Sequence, residues 1–359
     1  MWLDLLLTFL ASFLTIVIMR PVAIALGLVD KPNYRKRHQG AIPLIGGGSL
    51  FVGNLCFYLL QWDQTKLPQL YLFSVFVLLA IGILDDRYDI SPFIRAGIQA
   101  VLAVFMIYYG RLSLEHLGQI IGPFTVTLGW IGVVITVFAT IAIINAFNMI
   151  DGIDGLLGGL SSVAFAGVGI LMYMDNQYDL ARWCFALIVA IIPYAMFNLC
   201  IPFGKKYKIF MGDSGSTLIG FTIIWILLLS TQGKGHPMNP VTALWLVAIP
   251  LIDMVAIIYR RLRKGKSPFR PDRLHVHHLM VRAGLTHKQA FMLITFIAAL
   301  CAGFGILGEI YYINEWLMFV LFIGLFFMYS YSITRAWRIT RFIRRYRRRL
   351  LRKAKTPSM

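Results

Sequence analysis

Charged residues are scarce in this chain, and acids scarcest: 16 Asp and Glu among 359 residues, against 34 Lys and Arg. Charged side chains make up only 14% of the sequence, too few to solvate the surface of a soluble protein of this length. The four cysteines, Cys56, Cys184, Cys200 and Cys301, stand alone inside apolar runs. They form no metal-binding spacing and no disulfide framework, and they read as small buried hydrophobes. No stretch between apolar runs is long enough for a separate soluble domain. There is no G-x-x-x-x-G-K-[ST] loop and no kinase signature, which excludes the common ATP-binding folds.

Long apolar runs are what the chain has in quantity. Hydrophobic residues reach 58%, and runs long enough to span a bilayer recur from end to end. Eleven spans are expected: 2–20, 46–61, 69–84, 94–110, 127–147, 157–174, 182–200, 214–231, 241–259, 289–307 and 316–335. The expected fold is therefore an all-α polytopic membrane protein, with one transmembrane catalytic domain over 1–335 and a basic tail over 336–359. Residues Met1 to Asp4 carry no basic n-region, and Arg20 follows the first run, so that run is expected to remain as a reversed anchor.

The net charge of +18 is mostly a topological signal. With the N-terminus outside, 30 of the 34 Lys and Arg fall in inner loops and the tail, leaving only Lys66, Arg111, Arg182 and Lys234 outside. This is the positive-inside pattern, and eleven spans then place the C-terminus in the cytoplasm. It makes a nucleic-acid-binding role a poor explanation of the basic balance. The tail from Arg335 to Lys355 contains no acid and suits anionic lipid at the inner leaflet.

With that topology, every unusual polar cluster lies on the cytoplasmic side. The richest is NAFNMIDGIDG, Asn145 to Gly155, at the end of an apolar run. Asn145, Asn148, Asp151 and Asp154 are spaced three apart, which on a helix would align them along one face. Carboxylates beside hydrocarbon are costly and point to a role, here a hard-cation or phosphate site. One Asn could serve helix–helix hydrogen bonding alone, but that explains the four-residue line poorly.

Four more clusters join it. Val29 to Gly48 holds Lys31, a basic run and His38, and its last three glycines open the next span. It could set topology or capture an anionic head group. Asp85-Asp86-Arg87-Tyr88-Asp89, with Arg95 behind it, puts more acids together than a helix cap needs. Asp85 and Asp89, four apart, are expected on one face. In MGDSGST, Asp213 opens an apolar span where it could cap the helix or hold a phosphate-bound Mg²⁺. The loop Arg260 to His278 carries His275, His277 and His278. Zinc is a weak reading there, because no Cys or second His group lies nearby. Contacts to phosphate or sugar suit the mixture of His and Arg better. Asp253 is a further acid inside the ninth run, with an unassigned partner.

Oxygen ligands for Mg²⁺, basic groups for phosphate and an apolar bundle behind them point to phosphoryl transfer involving a lipid. The motifs VDKPNYRKRHQ…PLIGG, LDDRYD, NAFNMIDGIDG, MGDSGST and HVHH resemble, in this order and over nearly the whole chain, those of the polyprenyl-phosphate N-acetylhexosamine-1-phosphate transferases, of glycosyltransferase 4 type. Within that family the chain is most similar to the branch that moves GlcNAc-1-phosphate onto undecaprenyl phosphate. The branch that transfers phospho-MurNAc-pentapeptide shares the acidic motifs but differs in its last inner loop and ends outside the cell.

The resemblance implies attack of undecaprenyl phosphate on UDP-GlcNAc, giving undecaprenyl-diphospho-GlcNAc and UMP. It implies a multi-pass protein of the bacterial inner membrane, with its site facing the cytoplasm, at the first membrane step of O-antigen and enterobacterial common antigen synthesis. Asp213 and Asn148 would be ligands of Mg²⁺, with Mn²⁺ the alternative. Asp85, Asp86 and Asp151 would be catalytic acids. Asp154, Arg95, His275, His277, His278, Lys31 and His38 would contact substrate. Membrane lipids are implied partners, nucleic acid is not, and a homodimer is compatible with it. Two readings compete: the same chemistry on another UDP-N-acetylhexosamine, and a transporter. Coupled transporters gather polar groups near the bilayer midplane, often between inverted repeats; here the acids lie at cytoplasmic ends and no repeat is evident.

Overall fold

A computed structural model describes residues 2–31, 40–61, 66–232, 238–267 and 274–335. His38, the basic run Arg35 to Arg37 and the tail 336–359 lie outside these residues. The described residues form thirteen α-helices: α1 Trp2–Ala25, α2 Gly46–Leu60, α3 Lys66–Tyr88, α4 Pro92–Gly110, α5 Ile131–Ile150, α6 Leu156–Met174, α7 Tyr178–Asn198, α8 Gly212–Thr231, α9 Pro240–Leu246, α10 Ala248–Arg263, α11 Val276–Ala283, α12 His287–Ile310 and α13 Glu315–Thr334. The protein is an all-α polytopic membrane protein.

Each of the eleven expected runs falls on a helix, but not all as straight spans. Among the described residues, nine helices are long and apolar enough to cross a membrane. The run 241–259 is broken: α9 and α10 meet at an angle of 84°. The run 46–61 forms the 15-residue α2. At 1.5 Å per residue α2 is about 22 Å long, short of a ~30 Å hydrocarbon core.

Helix α8 is the central pillar, with 94% of its apolar window buried inside the protein. Small residues along it let neighbours approach at backbone distance. A Cβ on Gly82 of α3 would lie 2.2 Å from Cα of Ser214, and one on Gly220 would lie 2.6 Å from Cα of Ile144 in α5. A Cβ on Gly47 in α2 would meet the Gly215 amide nitrogen at 2.5 Å. Gly47 therefore serves contact with α8, and Gly46 lies against Met211 just before it.

A buried polar network ties four helices in mid-bundle. Tyr71 of α3 shares its hydroxyl with Thr222 of α8 at 2.7 Å and receives Nδ2 of Asn54 of α2 at 3.0 Å. Trp183 of α7 donates Nε1 to the Asn54 carbonyl oxygen at 3.0 Å. Asn54→Ala removes the partner of Trp183 and one partner of Tyr71. We expect it to destabilise the fold by about 1–2 kcal/mol, read as a lower unfolding temperature in detergent, with activity per folded molecule retained.

The first loop is more ordered than its composition suggests. Strand β1, Val29–Asp30, pairs antiparallel with β2, Ile42–Pro43. Phe210 then donates its amide to Pro43, while Gly46 and Gly47 donate theirs to Phe210 and Met211. This ribbon anchors the chain immediately before Asp213.

Candidate active site

Four chain segments meet at the N-terminus of α8. Gly212, in the left-handed region at φ +77°, turns the chain into the helix. Asp86, in the last turn of α3, accepts the amide hydrogens of Asp213 at 2.8 Å and Ser214 at 3.4 Å, and the Ser214 hydroxyl at 3.2 Å. First-turn amides have no partner within their own helix, and the helix dipole favours an anion there. Asp86 thus supplies from another helix what an N-cap residue normally supplies. The close approach at Gly82, one turn earlier on α3, makes this possible.

Asp85 faces the other way and is buried, with 5% of its surface exposed. It accepts Nη1 of Arg95 at 2.5 Å and the amide of Ile90 at 2.8 Å, so it both anchors the α3–α4 turn and aims the guanidinium. The same Nη1 lies 3.8 Å from Oδ2 of Asp213. Asp89, expected beside Asp85, instead takes φ +53° just past the end of α3 and is exposed. The helix ends before the four-residue spacing can act.

Asp213 receives Nδ2 of Asn148 at 2.5 Å on its other oxygen. Asn148 also bonds Ser216 Oγ at 2.8 Å. The expected line of four polar residues through NAFNMIDGIDG is not one helical face, because α5 stops at Ile150. Asn145 turns into the bundle, toward Gln99 of α4 at 3.1 Å and the carbonyl of Ile141 at 2.7 Å. Only Asn148 reaches Asp213. Asp151 caps the end of α5 and Asp154 sits in the turn into α6, where Lys208 donates to it at 2.7 Å. Asn198 holds that turn in place: its oxygen accepts the Gly155 amide at 2.6 Å and its nitrogen donates to the carbonyl of Ile209.

The histidines approach the same turn from α11. A Cβ on Gly152 would lie 2.1 Å from Nε2 of His277, so only glycine fits beneath the imidazole. His277 is 1% exposed, and its Nδ1 has no hydrogen-bond partner among the described residues. Burial holds its pKa well below the usual range, and neighbouring His278, His275 and His287 add to this, so the ring is neutral. The rings of His275 and His277 stack 5.8 Å apart. His275 is buried against Asp253, while His278 is half-exposed. Lys31 follows β1 and is exposed.

Asp85 and Asp213 thus flank one guanidinium, and Asp86 lies against the backbone of Asp213. This surplus of negative charge and the hard oxygen donors of Asp213 and Asn148 fit a divalent cation such as Mg²⁺, which takes one or two carboxylates and leaves its other positions to substrate oxygens and water. Among the described residues no three His, Cys, Asp or Glu converge as metal ligands, so Asp213 and Asn148 would supply two oxygen donors and substrate and water the rest.

Residues 69–231 match the pattern of Glycosyl transferase family 4. The chain is 76% identical over 347 residues to the undecaprenyl-phosphate α-N-acetylglucosaminyl 1-phosphate transferase of Haemophilus influenzae, covering 97% of this chain and 98% of the relative. It is 77% identical over 349 residues to the protein of that name in Pasteurella multocida, covering 97% and 98%. Against the Escherichia coli K12 protein of that name it is 57% identical over 352 residues, covering 97% and 95%. The chain belongs to glycosyl transferase family 4. In this family 4 transferase the matched segment contains Asp85, Asp86, Arg95, Asn148, Asp151, Asp154 and Asp213. The histidine segment lies beyond it, within the full-length similarity to the relatives.

Several residues at the site were not singled out by sequence reasoning. Lys208 counted only as topological charge, Asn198 is a lone amide at a helix end, and Ser216 is one of several small residues in MGDSGST. Nothing in their local spacing separates them from a solvated lysine, a cap or a packing residue.

Proposed function

We propose that this protein transfers GlcNAc-1-phosphate from UDP-GlcNAc to undecaprenyl phosphate, releasing UMP. The observation that carries the reading is the convergence of Asp85, Asp86, Arg95, Asn148 and Asp213 at one end of an apolar bundle. Near-full-length similarity to relatives of that name supports it. The positive-inside pattern supports placing this end at the cytoplasmic face of the inner membrane, where a water-soluble nucleotide sugar and a membrane-held acceptor can meet. In this reading the reaction is the first membrane step of O-antigen and enterobacterial common antigen synthesis.

Little covalent work is asked of the side chains. The phosphate monoester of the acceptor has a second pKa near ~6, so it is mostly dianionic at neutrality and needs no strong base. An acceptor oxygen attacks the β-phosphorus in line and the bond to the UMP oxygen breaks, so positioning and charge neutralisation carry the catalysis. Arg95, aimed by Asp85, contacts a phosphate. Asp213 and Asn148 would hold Mg²⁺, or Mn²⁺ as the alternative, which would supply charge neutralisation for the phosphate groups. Asp154, held by Lys208, faces the uridine, and Asp151 and the histidines face the pyrophosphate and sugar. Asp86 keeps the start of α8 in register.

The deciding assay combines purified protein, undecaprenyl phosphate and labelled UDP-sugars. We expect a lipid-linked GlcNAc product with stoichiometric UMP, and no comparable product from other UDP-N-acetylhexosamines. Formation of UDP-GlcNAc-independent transport, with no lipid product, would refute the reading.

The bonded state of Asp85 and Asp86 yields a pH prediction. Both are engaged in holding structure, so Asp85→Asn and Asp86→Asn should each lose at least about 10-fold in kcat, and the loss should persist from pH about 6 to about 9. A pH–rate profile with both substrates saturating checks this. Full recovery of both variants at alkaline pH would mean that removing a proton was their main task.

A further inference from the structure

Asp253 is 1% exposed and sits in α10, beyond the break that separates it from α9. It takes no part in the site as described so far. A buried carboxylate needs donors, and Asp253 has three. Its Oδ2 accepts Nδ1–H of His275 at 2.7 Å. Its Oδ1 accepts the amide of Val276 at 3.0 Å and the hydroxyl of Tyr329. Val276 is the first residue of α11, so Asp253 caps that helix from outside, as Asp86 caps α8. Tyr329 comes from α13, the last helix among the described residues.

The donors come from two parts of the fold, the start of α11 and the last turns of α13, and a separate apolar cluster packs the same junction. Ala256 and Ile257 of α10 meet Ile333 of α13, with Leu279 of α11, Phe326 and Tyr329 against them. The tautomer of His275 with its proton on Nδ1 satisfies this pair. Two residues on, His277 lies over Gly152, between Asp151 and Asp154. A continuous set of contacts therefore runs from Tyr329 through Asp253 and His275 to the turn that faces the nucleotide sugar.

We infer that Asp253 and Tyr329 are positioning residues for the nucleotide sugar: from α10 and α13 they hold His275 and the start of α11 so that His277 is seated over Gly152. The last helix thereby becomes part of the donor-substrate site, although it contributes no residue to the Asp213 cluster. This rests on the transfer reaction proposed above. The Asp213 cluster, built from α3, α4, α5 and α8, shares none of the hydrogen bonds of Asp253.

The test uses the full-length protein and two readouts, UDP-GlcNAc binding by calorimetry and steady-state kinetics with each substrate varied. Asp253→Ala should weaken UDP-GlcNAc binding and raise its KM by about 10-fold or more, since buried donors lose their partner, while KM for undecaprenyl phosphate stays within about 2-fold. Asp253→Asn keeps acceptor oxygen and should recover part of the loss. Tyr329→Phe keeps the ring packing and removes one donor; we expect about a 3–5-fold loss confined to UDP-GlcNAc, with an unchanged unfolding temperature. If Asp253→Ala does not fold, Tyr329→Phe decides alone. Equal losses toward both substrates, or binding by Tyr329→Phe and Asp253→Asn equal to wild type, would overturn the inference. Wild-type protein that binds no UDP-GlcNAc would instead overturn the proposed reaction, and the inference with it.

Discussion

Asp213→Asn is expected to abolish turnover, by a factor of about 10³ or more, while the protein stays folded and inserted. The substitution keeps the size of the side chain and the hydrogen bond to Asn148, but removes the charge. The amide of residue 213 still donates to Asp86, so the start of α8 keeps its cap. What is lost is the negative charge beside Arg95 and, in the proposed reaction, the ligand for the cation. The measurement is transfer activity across a range of Mg²⁺ and Mn²⁺ concentrations, alongside the unfolding temperature. Near-normal turnover at ordinary Mg²⁺ would remove Asp213 from the metal site. Recovery only at high metal concentration would support a weakened ligand.

Gly82→Ala should be nearly as damaging for a purely geometric reason. The new methyl would stand 2.2 Å from Cα and 2.5 Å from the amide nitrogen of Ser214, which are backbone atoms of a buried helix and cannot swing aside. Helix α3 must then move away from α8, and it carries Asp85 and Asp86 with it. We expect a loss of activity of at least about 100-fold and a fall in stability of several kcal/mol, in the range seen for overpacked cores and above. Gly97→Ala in α4 is the control. Nothing lies within 4 Å of its added methyl, so activity should be unchanged and the helix slightly favoured. A Gly82→Ala protein as active and stable as the Gly97→Ala protein would show that the α3–α8 contact is not needed to set the site.

The same contact explains why the two acids of LDDRYD differ in role though they are adjacent. Neighbouring residues on a helix point about 100° apart, so one shared location in sequence becomes two locations in space. Asp85 is directed to α4 and Arg95, Asp86 to the amides of α8. Sequence reasoning placed both at the site and could not separate their tasks. The NAFNMIDGIDG segment shows the converse. Three-residue spacing suggested one face, but the helix ends inside the motif, and Asn145, Asn148 and Asp154 take different partners.

What the sequence by itself determined is what depends on composition and order along the chain. Apolar runs must pair their backbone polar groups within helices in a membrane, so their number and place were legible without tertiary information. The motifs and their order were enough for the family. Acids that survive beside hydrocarbon marked the site, because leaving them there without a partner is costly. The tertiary structure alone decided which of those groups meet. Asn148 and Asp213 are 65 residues apart, Asp86 and the Asp213 amide 127, Tyr329 and Asp253 76. Such contacts arise from the close approach of helices at Gly47, Gly82 and Gly220, from the break between α9 and α10, and from the ribbon that anchors Met211. A helix's own sequence states which side chains it presents. Which neighbour receives them depends on how all the helices pack, and no local pattern carries that information.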